Sequence, residues 1–223
     1  DMATDNILKL DWNEAPVDFE FYQDELSRIV HDRGIIAWYP DCLALKLTDE
    51  ISKYVGIDRN NILVFPGSDV GLESLCRAYL EPGDKVLALC PTYENFFVYA
   101  LQVGASLLKV ELEKPFKPDL TIVEENMNSN GLVKMVYLVS PNNPCGYVLS
   151  QNEVEHLANK FQETIFIIDE AYIEFSDTKS LSSLVEVFQN IVITRTFSKG
   201  FGMADLRLGY ICASLDIINV VNK

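Results

Sequence analysis

The sequence predicts an α/β fold built on a mainly parallel sheet with helices on both faces. Two observations carry that prediction. Short apolar runs rich in β-branched residues, Val133–Val139 and Ile165–Ile168 among them, read as strands buried on both sides. Segments of helical length separate such runs, and strands alternating with helices favour parallel pairing.

The elements follow in order. Residues 1 to about 40 are aromatic and acidic without sustained periodicity, and read as an N-terminal arm with a first helix near Tyr22–Arg33. Ile62–Phe65 is strand-like, and Pro66-Gly67-Ser68-Asp69 leads into a helix through Leu80. The turn Glu81-Pro82-Gly83-Asp84 precedes a strand at Lys85–Cys90, followed by a helix at Tyr93–Val103. Ser106–Leu112 reads as a strand, Leu120–Met127 as a helix, and Glu153–Phe161 as an amphipathic helix. Ile191–Thr196 and Leu208–Ala213 supply the last strands, and Val220-Val221-Asn222-Lys223 reads as the entrance to another helix. No internal repeat or low-complexity tract interrupts the series.

Composition narrows the classes. With 48% hydrophobic, 11% aromatic and 23% charged residues, the 223-residue chain can bury a sizeable core. The net charge of −15 argues against nucleic acid or an anionic membrane surface as partner, since both demand basic patches. Cys42, Cys76, Cys90, Cys145 and Cys212 show no CxxC spacing, and their odd number suits reduced thiols and a cytoplasmic setting. Only Cys145 lies near the candidate chemistry, and it reads as structural. His31 and His156 stand apart without a metal-ligand pattern, so no metal is expected. No stretch approaches a membrane span, and no signal peptide opens the chain.

Chemistry concentrates in a few loops. The run Thr194-Arg195-Thr196-Phe197-Ser198-Lys199-Gly200-Phe201-Gly202, with Arg207 close behind, places one amine in a turn flanked by a hydroxyl, glycines and a guanidinium. A lysine held in a polar pocket and partly desolvated is a nucleophile toward carbonyls. Pyridoxal phosphate supplies such a carbonyl, and a phosphate for Ser198 and Arg207. Asp169 ends a buried strand, where open α/β sheets bind ligands, so it either faces a ligand's pyridine nitrogen or caps the next helix. Tyr172 could reach the same ring or simply pack. Ser140-Pro141-Asn142-Asn143-Pro144-Cys145-Gly146 is a rigid loop that offers the Asn143 amide to an acceptor, or is an ordinary turn. Ser68 and Asp69 either cap their helix or leave its N-terminus as a phosphate cradle.

In this order and at these separations the motifs resemble the fold-type-I pyridoxal-phosphate enzymes, the class I/II aminotransferases, and most closely their histidinol-phosphate aminotransferase branch. The similarity also takes in Leu10-Asp11-Trp12-Asn13-Glu14-Ala15-Pro16, Tyr39-Pro40-Asp41 and Pro91-Thr92-Tyr93, and so spans nearly the whole chain. It implies the large domain of that fold at residues 42–223, ending short of the family's usual length, with residues 1–41 as an arm and a share of the small domain.

The resemblance also implies roles. Lys199 would bind the cofactor as a Schiff base and later move a proton; Asp169 would pair with the pyridine nitrogen; Asn143 and Tyr172 would hydrogen-bond the phenolic oxygen. Tyr93 would stack on the ring, and Ser68, Asp69, Ser198 and Arg207 would hold the phosphate. Tyr39 would reach the cofactor of a second subunit in a homodimer, and Asn13 and Glu14 would lie over the substrate. Val70, Cys145 and Asp205 depart from the family's common acidic residue, threonine and glycine, which weakens histidinol phosphate as the substrate. Asp205 either competes for the Arg207 guanidinium or makes a backbone turn. The family's C-terminal arginine for the substrate carboxylate has no counterpart here, so a fragment is expected, poorly soluble and without turnover by itself.

Three functions remain open at this stage: an aminotransferase using glutamate as donor and a small, phosphorylated or unphosphorylated, oxo compound as acceptor; a decarboxylase of a phosphorylated amino acid; and a non-catalytic cofactor-binding regulatory domain.

Overall fold

A computed structural model describes residues 11–15, 20–32, 37–114, 116, 118 and 120–223. Its helices are α1 (Glu20–His31), α2 (Leu45–Val55), α3 (Ser68–Tyr79), α4 (Asn95–Gln102), α5 (Thr121–Ser129), α6 (Gln151–Lys160) and α7 (Leu215–Val221). Its strands are β1 (Ile62–Phe65), β2 (Lys85–Cys90), β3 (Ser106–Glu111), β4 (Val133–Val139), β5 (Ile165–Asp169), β6 (Ile191–Thr196) and β7 (Gly209–Ala213).

These strands form one seven-stranded sheet in the order β1-β7-β6-β5-β4-β2-β3. Strands β6, β5, β4, β2 and β3 pair in parallel, while β7 is antiparallel to both β6 and β1. β7 is therefore the one reversed strand, and the expectation of a mainly parallel sheet holds. The reversal follows from the connection: β6 and β7 share a hairpin, which needs no crossover helix.

Both faces are covered, as a parallel sheet requires. On one face Leu72 and Leu75 of α3, Phe96 and Ala100 of α4 and Ile217 of α7 pack on Met135, Tyr137, Ile167 and Val192. On the other, Ile51 of α2, Val123 of α5 and Leu157 of α6 pack on Val136, Leu138, Phe166, Ile168 and Ile193. Alternate residues of each strand thus serve opposite layers.

Several boundaries shift from those expected, each for a local reason. Helix α6 begins two residues earlier than its apolar pattern because Ser150 accepts from the Glu153 N–H while the Glu153 side chain accepts from the Ser150 N–H. Helix α4 starts at Asn95, leaving Tyr93 in the preceding loop, where its hydroxyl is engaged. Val220-Val221 closes α7, with Asn222 as its C-cap, instead of opening a helix. Of the first helix, Arg33 lies outside the described residues, as do Leu10 and Pro16 of the first motif.

Two glycines hold the site edge together. A Cβ on Gly209 would stand 2.4 Å from the Ser68 nitrogen and 3.0 Å from the Arg195 carbonyl oxygen, and one on Gly67 would stand 2.4 Å from Arg207 Nη2. Hydrogen at these positions lets the N-terminus of α3 lie directly against β7 and the Arg207 guanidinium. Gly209→Ala forces backbone apart at that contact, so it is expected to destabilise the protein by about 3 kcal/mol. A thermal melt should show it, and an unchanged midpoint would contradict the packing argument.

Candidate active site

Because every strand but β7 points the same way, their C-terminal ends, and the start of β7, share one edge of the sheet. Asp169 ends β5 there, in register with Val139 of β4 and Thr194 of β6. The loops after β1, β2, β4 and β6 leave from the same edge and carry Ser68, Asp69, Tyr93, Asn143, Ser198, Lys199 and Arg207, while Tyr172 follows β5 and Asn13, Glu14 and Tyr39 lie in the N-terminal segment.

Two adjacent carboxylates at the end of β5 face opposite layers and live in different electrostatics. Glu170 is 1% exposed and Arg195 3%. Arg195 Nη1 lies 3.3 Å from Glu170 Oε2, and Nη2 2.6 Å from Glu174 Oε1. Glu170 also accepts from the Ser180 hydroxyl and the Leu181 N–H. Burial pushes the Glu170 carboxyl up, and the Arg195 guanidinium pulls against it.

Asp169, 3% exposed, has only neutral donors. Tyr137 OH donates to Oδ2 at 2.7 Å and the Ala171 N–H to Oδ1 at 3.0 Å. The Thr194 hydroxyl lies against the carboxylate and favours its charged form, yet Oγ1 has no hydrogen bond of proper geometry. Burial holds the Asp169 carboxyl above the ordinary carboxylate range, and Asp69 adds to the rise. Among the described residues Asp169 enters no ion pair. The capping reading of Asp169 is corrected: the next helical turn, Ile173–Phe175, has Tyr172 as its N-cap with no side-chain hydrogen bond, and Asp169 instead braces the turn after β5 through the Ala171 N–H.

The lysine loop sits on the second carboxylate system. A Cβ on Gly200 would stand 2.6 Å from the Glu174 Cβ, so the loop rests on the Glu174 methylenes. Phe201 packs edge-on against Tyr54 and beside Phe197, and its carbonyl accepts from Tyr22 OH. Lys199 Nζ donates to the Trp12 carbonyl and lies 5.8 Å from the centre of the Tyr172 ring. Asn13 Nδ2 donates to Tyr172 OH at 3.0 Å. Lys199, Tyr172 and Asn13 therefore meet, with the arm segment laid across the lysine; Glu14 beside it is exposed.

Around α3, neither Ser68 nor Asp69 caps the helix: the N-cap is Gly67, and among the described residues no side chain caps the first turn. The capping reading is thereby corrected. That turn's N–H groups carry partial positive charge beside the Arg207 guanidinium, an arrangement that suits a polyoxyanion. Asp69 Oδ1 accepts from Tyr93 OH at 3.0 Å, and Asn95 Nδ2 donates to the same hydroxyl at 2.7 Å. Burial and Asp69 push the Tyr99 phenol up to about 12. Ser198 is partly buried, its N–H given to Thr196 Oγ1 at 3.1 Å.

In the Asn-Asn-Pro loop the structural load falls on Asn142. It donates to Tyr147 OH and accepts from the Cys145 N–H, leaving the partly buried Asn143 beside it. Arg207 Nη1 donates to the Ala204 carbonyl at 2.9 Å, and among the described residues Asp205 forms no ion pair with it. The left-handed residue of that turn is Arg207 itself, with φ 49°. Tyr39 stands fully exposed, apart from this cluster. His31 and His156 bond to the Ser27 carbonyl and to Glu124, and the five cysteines are free thiols. No helix among the described residues is long and apolar enough to cross a membrane.

Sequence reasoning missed Tyr137, Glu170, Glu174 and the role of Arg195. Tyr137 was hidden in an apolar run. The charged Arg195 inside the last strand run was a signal that a buried carboxylate must exist.

Comparison with known proteins bears on this geometry. The family model described as aminotransferase class I and II matches residues 5–223. A dihydroxyacetone phosphate transaminase from Campylobacter jejuni is 37% identical over 98% of this chain and 59% of its own length. A histidinol-phosphate aminotransferase from Christiangramia forsetii is 39% identical over 83% of this chain and 52% of its own. The crystal structure of histidinol-phosphate aminotransferase from Sinorhizobium meliloti in complex with pyridoxal-5'-phosphate superposes with a TM-score of 0.79 at 25% identity, over 93% of this chain and 56% of that one. The chain belongs to the aminotransferase class I and II family, and its sheet is that of fold type I. It spans somewhat over half the length of these relatives.

The contrast between the two carboxylates is testable in cofactor-free protein. Because the folded-state pKa of Asp169 is raised, the stability it contributes is present at low pH and is lost as pH climbs through that value. Asp169→Asn should therefore raise the Tm at pH 7. Arg195→Met, which strands the buried Glu170 carboxylate and the partly buried Glu174, should cost about 3–5 kcal/mol in urea unfolding. Equal effects of the two changes would refute the contrast between a carboxylate paired with Arg195 and one held by neutral donors.

Proposed function

We propose that this chain is the cofactor-binding part of a pyridoxal-phosphate-dependent aminotransferase that moves an amino group between glutamate and a small oxo compound, phosphorylated or not. The observation that carries it is Asp169, a buried carboxylate that enters no ion pair among the described residues, at the sheet edge from which the loops to Lys199 and to the start of α3 leave. In this reading residues 42–223 are the large domain, and residues 1–41 an arm and a share of the small domain.

The residues fit the cofactor in three places. An uncapped helix start that a Cβ at Gly67 would close off from Arg207 suits a phosphate. Asp169 with its unpartnered neighbour Thr194 Oγ1 suits a protonated ring nitrogen. Lys199 beside Tyr172 suits the aldehyde carbon.

Pyridoxal phosphate, when bound, supplies an aldehyde for imine chemistry and a ring that withdraws electrons from the substrate's α-carbon. Lys199 Nζ would hold that carbon and, when released by substrate, would move the α-proton. Asp169 would favour positive charge at the ring nitrogen. Asn143 and Tyr172 would hydrogen-bond the phenolic oxygen, and Tyr93 would stack on the ring. Backbone and side-chain groups of Ser68 and Asp69, with Ser198 and Arg207, would hold the phosphate. Asn13 and Glu14 shelter the substrate, and Tyr39 serves a second copy across a homodimer interface. Five free thiols support a cytoplasmic setting. The same residues would serve a decarboxylase; relatives named as transaminases at 37% and 39% identity weigh for amino transfer.

The full-length protein loaded with pyridoxal phosphate should show a visible absorption band that glutamate converts to the pyridoxamine form. A band that glutamate leaves unchanged while a phosphorylated amino acid releases gas would favour the decarboxylase. Lys199→Ala should abolish the borohydride-reducible link to protein while weak cofactor binding survives; a retained link would remove Lys199 from its role. Asp169→Asn should keep the link but slow the glutamate half-reaction by roughly a hundredfold to a thousandfold.

A further inference from the structure

Tyr137 lies in the middle of β4, within a run that looks like plain apolar filling. It is wholly buried, and its ring stacks on Phe96 with centroids 4.1 Å apart and planes 13° from parallel. Tyr137 pairs with Ile167, two residues before Asp169, so its side chain shares a sheet face with that carboxylate. Phenylalanine would fill the same space. A hydroxyl buried there is tolerated only with a partner, and its partner is Asp169 Oδ2 at 2.7 Å.

We propose that Tyr137 is a positioning residue for the cofactor: its hydroxyl keeps the Asp169 carboxylate charged and in one orientation toward the ring nitrogen, a role that rests on the aminotransferase reading above. The groups facing Asp169 are Tyr137 from β4, Thr194 from β6, the Ala171 N–H after β5, Asp69 from α3 and Tyr93 from the loop before α4. None is cationic. Against burial, which favours the neutral acid, the hydrogen bond from Tyr137 is the strongest opposing influence. The phenol itself is held well above its ordinary range by burial and by Asp169, so it remains a donor. Stacking on Phe96 fixes the ring, and the ring fixes the direction of the bond.

The test uses full-length protein with 13C-labelled aspartate, first freed of cofactor. Tyr137→Phe should shift the Asp169 titration upward by about one to two pH units. Site-specific 3-fluorotyrosine at position 137, a stronger donor of nearly the same shape, should shift it downward. An Asp169 titration unmoved by both changes overturns the proposal. In the loaded protein Tyr137→Phe should weaken pyridoxal phosphate binding roughly tenfold, and should add nothing in an Asp169→Asn background. An equal loss in both backgrounds would reduce Tyr137 to packing and overturn its role toward the cofactor. If the unaltered protein forms no Lys199-dependent link, the aminotransferase reading fails by itself, and the cofactor-free titration still decides whether Tyr137 governs the carboxylate.

Discussion

The ion system of Arg195 with Glu170 and Glu174 is the interaction on which the site edge depends. It joins β6, the end of β5 and the turn that follows, and its methylenes are the floor under Gly200. Desolvating charged groups is costly unless geometry and further hydrogen bonds compensate; Ser180 and the Leu181 N–H do so for Glu170, and Ser180 for Arg195 Nη1, while Glu174 Oε2 and Arg195 Nε have no partner among the described residues. What the arrangement provides is a fixed relation between the turn carrying Tyr172 and the loop carrying Lys199. With one carboxylate system closed in this way on one face, the neighbouring Asp169 is left on the other with neutral partners alone. Two neighbouring acids thus differ, one paired with Arg195 and the other held by neutral donors.

Much of this was legible in the amino-acid order. The strands at Lys85–Cys90, Val133–Val139 and Ile191–Thr196 coincide with their apolar runs because turn residues bound them sharply. The reversal of β7 was not legible, since periodicity records burial and carries no strand direction. The true start of α6 was available in the Ser150–Glu153 pair, which apolar patterning alone overlooks.

The site divides the same way. Lys199, Asp169 and Tyr172 stand out by motif, and the structure gathers Lys199 with Tyr172 at the edge that Asp169 ends. Tyr137 could not be seen, because a strand buried on both faces gives no alternation to betray a residue with a second task. The helix start at Gly67 presented two readings with equal chemistry, and only the absence of a side-chain acceptor separates them. Gly209 carried no signal in the sequence, and its need for hydrogen comes from the proximity of the Ser68 nitrogen.

The reversed strand has a consequence for how the chain is assembled. β1 reaches the sheet only by pairing with β7, and Gly67 and Ser68 meet their neighbours only there. During synthesis β1 and α3 emerge early, whereas the hairpin that receives them emerges near residue 210. Helix α3 can pack on α4 soon after both emerge, but its contact with β6 and β7 waits while most of the sheet is made, a high-contact-order closure that favours slow folding. Lys199 and Arg207, by contrast, sit on one short connection and arrive together. The corner where Gly67 and Ser68 meet Arg207 and Gly209 is thus joined last, from the two pieces of the sheet most widely separated along the chain.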